Sequence, residues 1–95
     1  MKLISNRTLR EFSEIHPDAG RPLQDWRRII EKNTFEHFSA LKQAFNSVDK
    51  VGEQRVFNIG GNKYRLLAFV QFPRQMVYVK AVLTHAQYDK GDWKP

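Results

Sequence analysis

The apolar residues of this chain change period once, across the loop marked by Asn46, Ser47 and Gly52. Before that loop they recur at helical steps, as Leu9, Phe12 and Ile15, then Leu23, Trp26, Ile29 and Ile30, then Phe35, Phe38, Leu41 and Phe45. After it the chain reads as strands. Segments 55–59, 63–72 and 76–84 are rich in β-branched and aromatic residues, with turn residues Gly60-Gly61-Asn62 and Pro73-Arg74 between them. Helices followed by strands must bury their apolar stripes against one face of a sheet, which predicts an α+β domain whose other sheet face is partly open.

Local signals set the expected boundaries. Lys2–Ile4 reads as a short strand, and Ser5 or Asn6 can cap a first helix that ends near His16-Pro17, since a proline disfavours helical geometry in the residue before it. Pro22 suits the first turn of a second helix, and Asn33 or Thr34 the start of a third. The two turns make consecutive hairpins, so three antiparallel strands in a meander. Gly60-Gly61 is a hairpin turn rather than a phosphate loop, because it lacks the glycine spacing and the following helix of a nucleotide fingerprint.

Ninety-five residues with 41% apolar content are expected to form a single domain over 1–95 with one core and one site. Sixteen Lys and Arg against 10 Asp and Glu leave a net charge of +6, and the pI is near 9.9, which favours polyanions or an acidic protein partner. The chain has no cysteine, so disulfides, thiolate metal sites and a cysteine nucleophile are excluded. Met1–Ile4 runs at once into Ser5-Asn6-Arg7, too short for a signal peptide or a membrane span, so a soluble cytoplasmic protein with no membrane role is expected.

Strand alternation sends Lys63, Arg65, Leu67, Phe69 and Gln71 to one face and Tyr64, Leu66, Ala68, Val70 and Phe72 to the other. The last strand divides into Val77, Val79, Ala81 and Leu83 against Tyr78, Lys80, Val82 and Thr84, with Lys80 on the more polar side. If the chain turns helical after Thr84, His85 meets Tyr88 and Asp89 at spacings of three and four, on one helix face. Imidazole, phenol and carboxylate beside Lys and Arg can move protons and stabilise charge on a phosphate. Taken singly the same residues have plainer readings: His85 as a cap or surface residue, Tyr88 at the core edge, Asp89-Lys90 as a solvated pair, Trp93 as a cover for the core. His16 and His37 fall in no metal-ligand pattern, and neither metal nor cofactor is expected.

The blocks "RVFNIGGNKYRLLAFV", "VYVK" and "THAQYDKGDW", in this order and spacing, resemble the signature blocks of HigB-type toxins, RelE-like members of bacterial type II toxin–antitoxin systems. The likeness is specific over 55–93 and loose over the N-terminal helices. It implies N-terminal helices packed on a curved antiparallel β-sheet with a short C-terminal helix. It also implies a metal-independent endoribonuclease that cuts mRNA on translating ribosomes by attack of the ribose 2′-hydroxyl.

Carried onto this chain, the resemblance makes His85 the proton-transfer group, Tyr88 and Asp89 its assistants, and Arg65 the phosphate stabiliser, with Lys63 and Lys80 positioning the backbone. Arg27, Arg28 and Lys32 are RNA or ribosome contacts on charge alone. The implied partner is a HigA-type helix-turn-helix antitoxin, and operator DNA would be bound only through that complex. Two rival readings use the same charge: a non-catalytic RNA-binding or ribosome-associated module, and a subunit serving an acidic protein partner.

Overall fold

The computed structural model describes residues 1–94. Strand β1 (Lys2–Ile4) leads into α1 (Asn6–Ile15), a 3₁₀ turn over Pro17–Ala19, α2 (Gly20–Lys32) and α3 (Phe38–Ala44). There follow β2 (Asp49–Val51), β3 (Gln54–Ile59), β4 (Tyr64–Gln71), β5 (Met76–Thr84) and α4 (His85–Lys90). Among the described residues the sheet has five strands in the order β1-β5-β4-β3-β2, antiparallel except for the parallel pair β1 and β5. The predicted three-stranded meander is therefore its centre. Strand β2 is three residues long, too short for a period of two to register, and the parallel pairing of β1 depends on a partner more than seventy residues away in the register Lys2↔Met76.

The helices cover one sheet face. Leu9, Leu23, Trp26, Ile30 and Leu41 meet Phe57, Ile59, Leu66, Ala68, Val77 and Val79 in one buried cluster. Phe57 receives the rings of Trp26 and Phe45 edge-on, at 5.3 and 5.1 Å between centroids. Two residues expected on buried stripes lie outside it. Ile15 is the last residue of α1 and 75% exposed; Ile29 is 38% exposed, at the edge of the stripe that Trp26 and Ile30 centre. Among the described residues no helix is long and apolar enough to cross a membrane.

Helix α3 begins at Phe38, later than the predicted Asn33 or Thr34. The reason is a long-range contact: the Gln75 side chain accepts from the Phe35 N–H at 3.3 Å and donates to its carbonyl at 2.8 Å. Phe35 is thus held extended with its ring buried, and His37 caps the helix instead by accepting from the Ala40 N–H at 3.2 Å.

A bulge alters the predicted faces of β5. Leu67 pairs with Ala81 but Ala68 pairs with Val79, so Lys80 is an extra residue without a partner. Directly paired residues share a face, and one inserted residue exchanges the faces beyond it. Val77, Val79 and Val82 consequently turn to the helices, opposite Val70, Ala68 and Leu66. Tyr78, Ala81 and Leu83 share the open face with Phe69, Leu67 and Arg65, which corrects the simple alternation for Ala81, Val82, Leu83 and Thr84. Lys80 remains exposed, its ammonium 4.8 Å from the Phe69 ring centroid.

Candidate active site

The site forms where β5 becomes α4. Thr84 caps the helix by accepting from the Gln87 N–H at 3.2 Å, while the Gln87 side chain accepts from the Thr84 N–H at 2.9 Å. This reciprocal pair starts the helix at His85. Gly91, at φ 76°, ends it one and a half turns later in a left-handed conformation that suits glycine. Within so short a helix, spacings of three and four bring His85, Tyr88 and Asp89 to one face, and His85 Nε2 lies 3.1 Å from Asp89 Oδ2.

The β3–β4 turn supplies the other half. Gly60 and Gly61 both take positive φ, 63° and 68°, which lets the chain reverse tightly and present consecutive carbonyls to α4. The Lys63 carbonyl accepts the backbone N–H of His85 at 3.0 Å, and the Asn62 carbonyl lies 3.0 Å from His85 Nδ1. A carbonyl only accepts, so Nδ1 carries the proton; Nε2 then faces a carboxylate, and both contacts are satisfied together when both ring nitrogens donate. The imidazole is half-exposed, at 48% of its side chain, and its Nε2 edge opens to solvent beside Asp89.

Arg65 reaches the same turn from β4. Its Nη1 donates to the Asn62 and Tyr64 carbonyls at 3.2 and 3.1 Å, and its Nη2 to Asn62 Oδ1 at 3.1 Å. The Asn62 carbonyl is therefore shared between Arg65 and His85. Arg65 is only 8% exposed, and its guanidinium lies 5.4 Å from the Tyr88 ring centroid; on that ring Trp93 stacks at 4.8 Å and 14°. Trp93 thus covers Tyr88 instead of the core, and its Nε1 donates to the Tyr88 carbonyl at 2.8 Å.

The structure brings His85, Tyr88 and Asp89 together on one face of α4, as their spacing predicted, and adds Arg65, which the resemblance had grouped with them. Lys63 is adjacent, but its ammonium is held by Asp18 at 3.0 Å. Asp18 also accepts from the Tyr64 hydroxyl at 2.6 Å. That hydroxyl, and after it the lysine, hold the Asp18 carboxyl below the usual carboxylate range; donation to the carboxylate, helped by burial, raises the Tyr64 phenol above its ordinary value. Lys80 stands further along the open face. Arg27 and Arg28 are paired along α2 with Glu31 and Asp25, and Lys32 lies in the last turn of that helix, in the layer on the other side of the sheet. Sequence reading missed Asn62 and Asp18. A polar residue after two glycines was the available signal for the first; nothing local pointed to the second, which lies 45 residues from Lys63.

The family described as HigB toxin, RelE-like toxic component of a toxin–antitoxin system, matches residues 19–91. The mRNA interferase toxin HigB of Escherichia coli (strain K12) is 35% identical over 92 residues, 94% of this chain and 88% of that protein. The mRNA interferase HigB of Shigella flexneri is 35% identical over the same extent, and that of Escherichia coli O6:H1 is 28% identical over 93 residues, 95% of this chain and 90% of that protein. The chain belongs to the HigB toxin family.

Proposed function

We propose that this chain is an mRNA interferase, a single toxin domain over 1–95 that cuts mRNA through side-chain proton transfer and is neutralised by a cognate antitoxin. The names of its relatives support the activity. The observation that carries the mechanism is the fixed imidazole of His85, committed through Nδ1 to the Asn62 carbonyl and facing Asp89 at 3.1 Å through Nε2.

The RNA brings its own nucleophile. As the 2′-oxygen bonds to the adjacent phosphorus its proton must leave, and as the P–O5′ bond breaks the departing oxygen must gain one, giving a 2′,3′-cyclic phosphate and a 5′-hydroxyl. With Nδ1 committed, Nε2 is the ring atom that exchanges protons with substrate; it delivers one to O5′, while Asp89 takes up the proton from O2′. The two groups then restore their starting state by exchange with each other. Negative charge developing on the phosphoryl oxygens is met by the Arg65 guanidinium and the Lys63 ammonium, the latter released from Asp18, with the Tyr88 hydroxyl as a further donor. Lys80 holds the backbone further along. This route requires no metal and no cofactor.

The partner we propose is a HigA-type helix-turn-helix antitoxin, operator DNA being bound only through that complex. We place the work in the cytoplasm on translating ribosomes, with Arg27, Arg28 and Lys32 as contacts on the helix side. Primer extension on cellular transcripts after induction tests the reading. Cleavage ends are expected with the intact protein and about 10²- to 10⁴-fold less cutting with His85→Ala. Ribosome or RNA binding by the intact protein with uncut transcripts would instead make it a non-catalytic RNA-binding module.

A further inference from the structure

The open sheet face carries a second feature at the end remote from His85. The ladder between β3 and β4 stops at Arg55↔Ala68, whereas that between β4 and β5 continues to Gln71↔Met76. From Phe69 to Gln71 the β3-side edge of β4 is therefore outside the sheet ladder. An open groove of about 650 Å³ lies there, lined by Phe69, Gln71, Tyr78, Lys50, Arg55 and Lys80. Phe69 and Tyr78 are direct cross-strand partners, both half-buried, so two aromatic side chains share this part of the face. Lys50 and Lys80 line it against one carboxylate among the described residues, that of Glu53, while the Arg55 guanidinium turns to the helix side, 5.3 Å from the Phe38 ring centroid.

Flat rings, a free strand edge and surplus positive charge match the three parts of an unpaired nucleotide: a base that stacks, base edges that hydrogen-bond, and a phosphate. Arg65 and Phe69 lie on the same face of one strand four residues apart, ~13 Å along it. A few unstacked nucleotides span that distance. We propose that this groove is an RNA subsite, taking an unpaired nucleotide a few positions from the scissile bond, with Phe69 and Tyr78 stacking its base and Lys50 and Lys80 neutralising its phosphates. The proposal rests on reading the chain as an RNA-cutting toxin. It adds that substrate is gripped at two separate points, which restricts it to single-stranded RNA, since a paired base could not leave its stack to reach these side chains. The Lys80 ammonium over the Phe69 ring is placed to move aside to phosphate as the base arrives.

The test compares Phe69→Leu and Tyr78→Leu, which keep apolar volume and remove the ring, with the intact protein. Fluorescence anisotropy measures binding of a labelled single-stranded RNA hexanucleotide, with a 2′-O-methyl ribose at each position to prevent cutting, and of a matching dinucleotide. Aromatic stacking contributes ~1–3 kcal/mol per base, so each variant should bind the hexanucleotide about 5- to 150-fold more weakly, with a far smaller change for the dinucleotide. Equal loss on both probes, or none on either while the variants unfold at the temperature of the intact protein, overturns the subsite. Unchanged hexanucleotide binding with weakened antitoxin binding also overturns it, assigning the groove to the protein partner. Because these readouts need no cleavage, they remain informative if the protein binds RNA without cutting it, an outcome that defeats the proposed activity but not the subsite.

Discussion

Replacing Arg65 by lysine separates charge from geometry at the site. Arg65 is 8% exposed, and its guanidinium, beneath the Tyr88 ring, makes three hydrogen bonds to the β3–β4 turn at 3.1 to 3.2 Å. Lysine keeps the positive charge, but a single ammonium cannot reach both carbonyls and Asn62 Oδ1 in the planar fork that arginine provides. A buried hydrogen bond from a charged donor contributes ~1.5–3 kcal/mol, and at least one is lost net, so Arg65→Lys should destabilise the protein by about 2 kcal/mol. For a domain of this size that lowers the unfolding midpoint by roughly 8–16 °C.

The catalytic consequence follows from the shared Asn62 carbonyl. Loosening the turn that holds His85 Nδ1 misplaces the imidazole, and a shift of ~1 Å is expected to slow cutting by about 10²-fold in kcat. Thermal unfolding by circular dichroism and cleavage of a reporter transcript below the midpoint measure the two effects separately. An unfolding midpoint within about 2 °C of the intact protein together with undiminished cleavage would refute the reasoning, because the three bonds would then hold neither the fold nor the histidine.

Thr84→Ala removes the cap that starts α4 and should cost ~0.5–2 kcal/mol in urea unfolding, with reduced cleavage, since the helix it starts carries His85, Tyr88 and Asp89. Asp18→Asn tests the acid limb of stability. A carboxyl held below its ordinary value when folded stabilises the protein above the unfolded value of about 3.9, and that contribution is lost as pH falls through the folded value. The variant should therefore show a flatter decline of the urea midpoint below pH 4, and an equally steep decline would show that other carboxylates dominate it.

The change of apolar period at Gly52 located helices and strands, and β5 was predicted over the residues it occupies, Met76–Thr84, because β-branched and aromatic preferences act through adjacent residues. The glycine turn and the shared face of His85, Tyr88 and Asp89 were legible for the same reason: positive φ and the pitch of a helix are properties of a few consecutive residues. The faces of β5 beyond Lys80 were not, since a bulge is decided by how two strands pair. The start of α3 was likewise set from outside, by an amide forty residues away at Gln75.

The order of the helices and of the three central strands, the turns between those strands and the chemical repertoire of the terminal helix were thus determined by the sequence alone, through preferences confined to short stretches of chain. Tertiary structure decided what that repertoire can do. It buried Arg65 under Tyr88, bound Lys63 to Asp18, and gave the Asn62 carbonyl to both Arg65 and His85. Each of these depends on which donors and acceptors meet once the glycine turn and α4 pack together, and a buried donor takes whichever acceptor the packed chain presents.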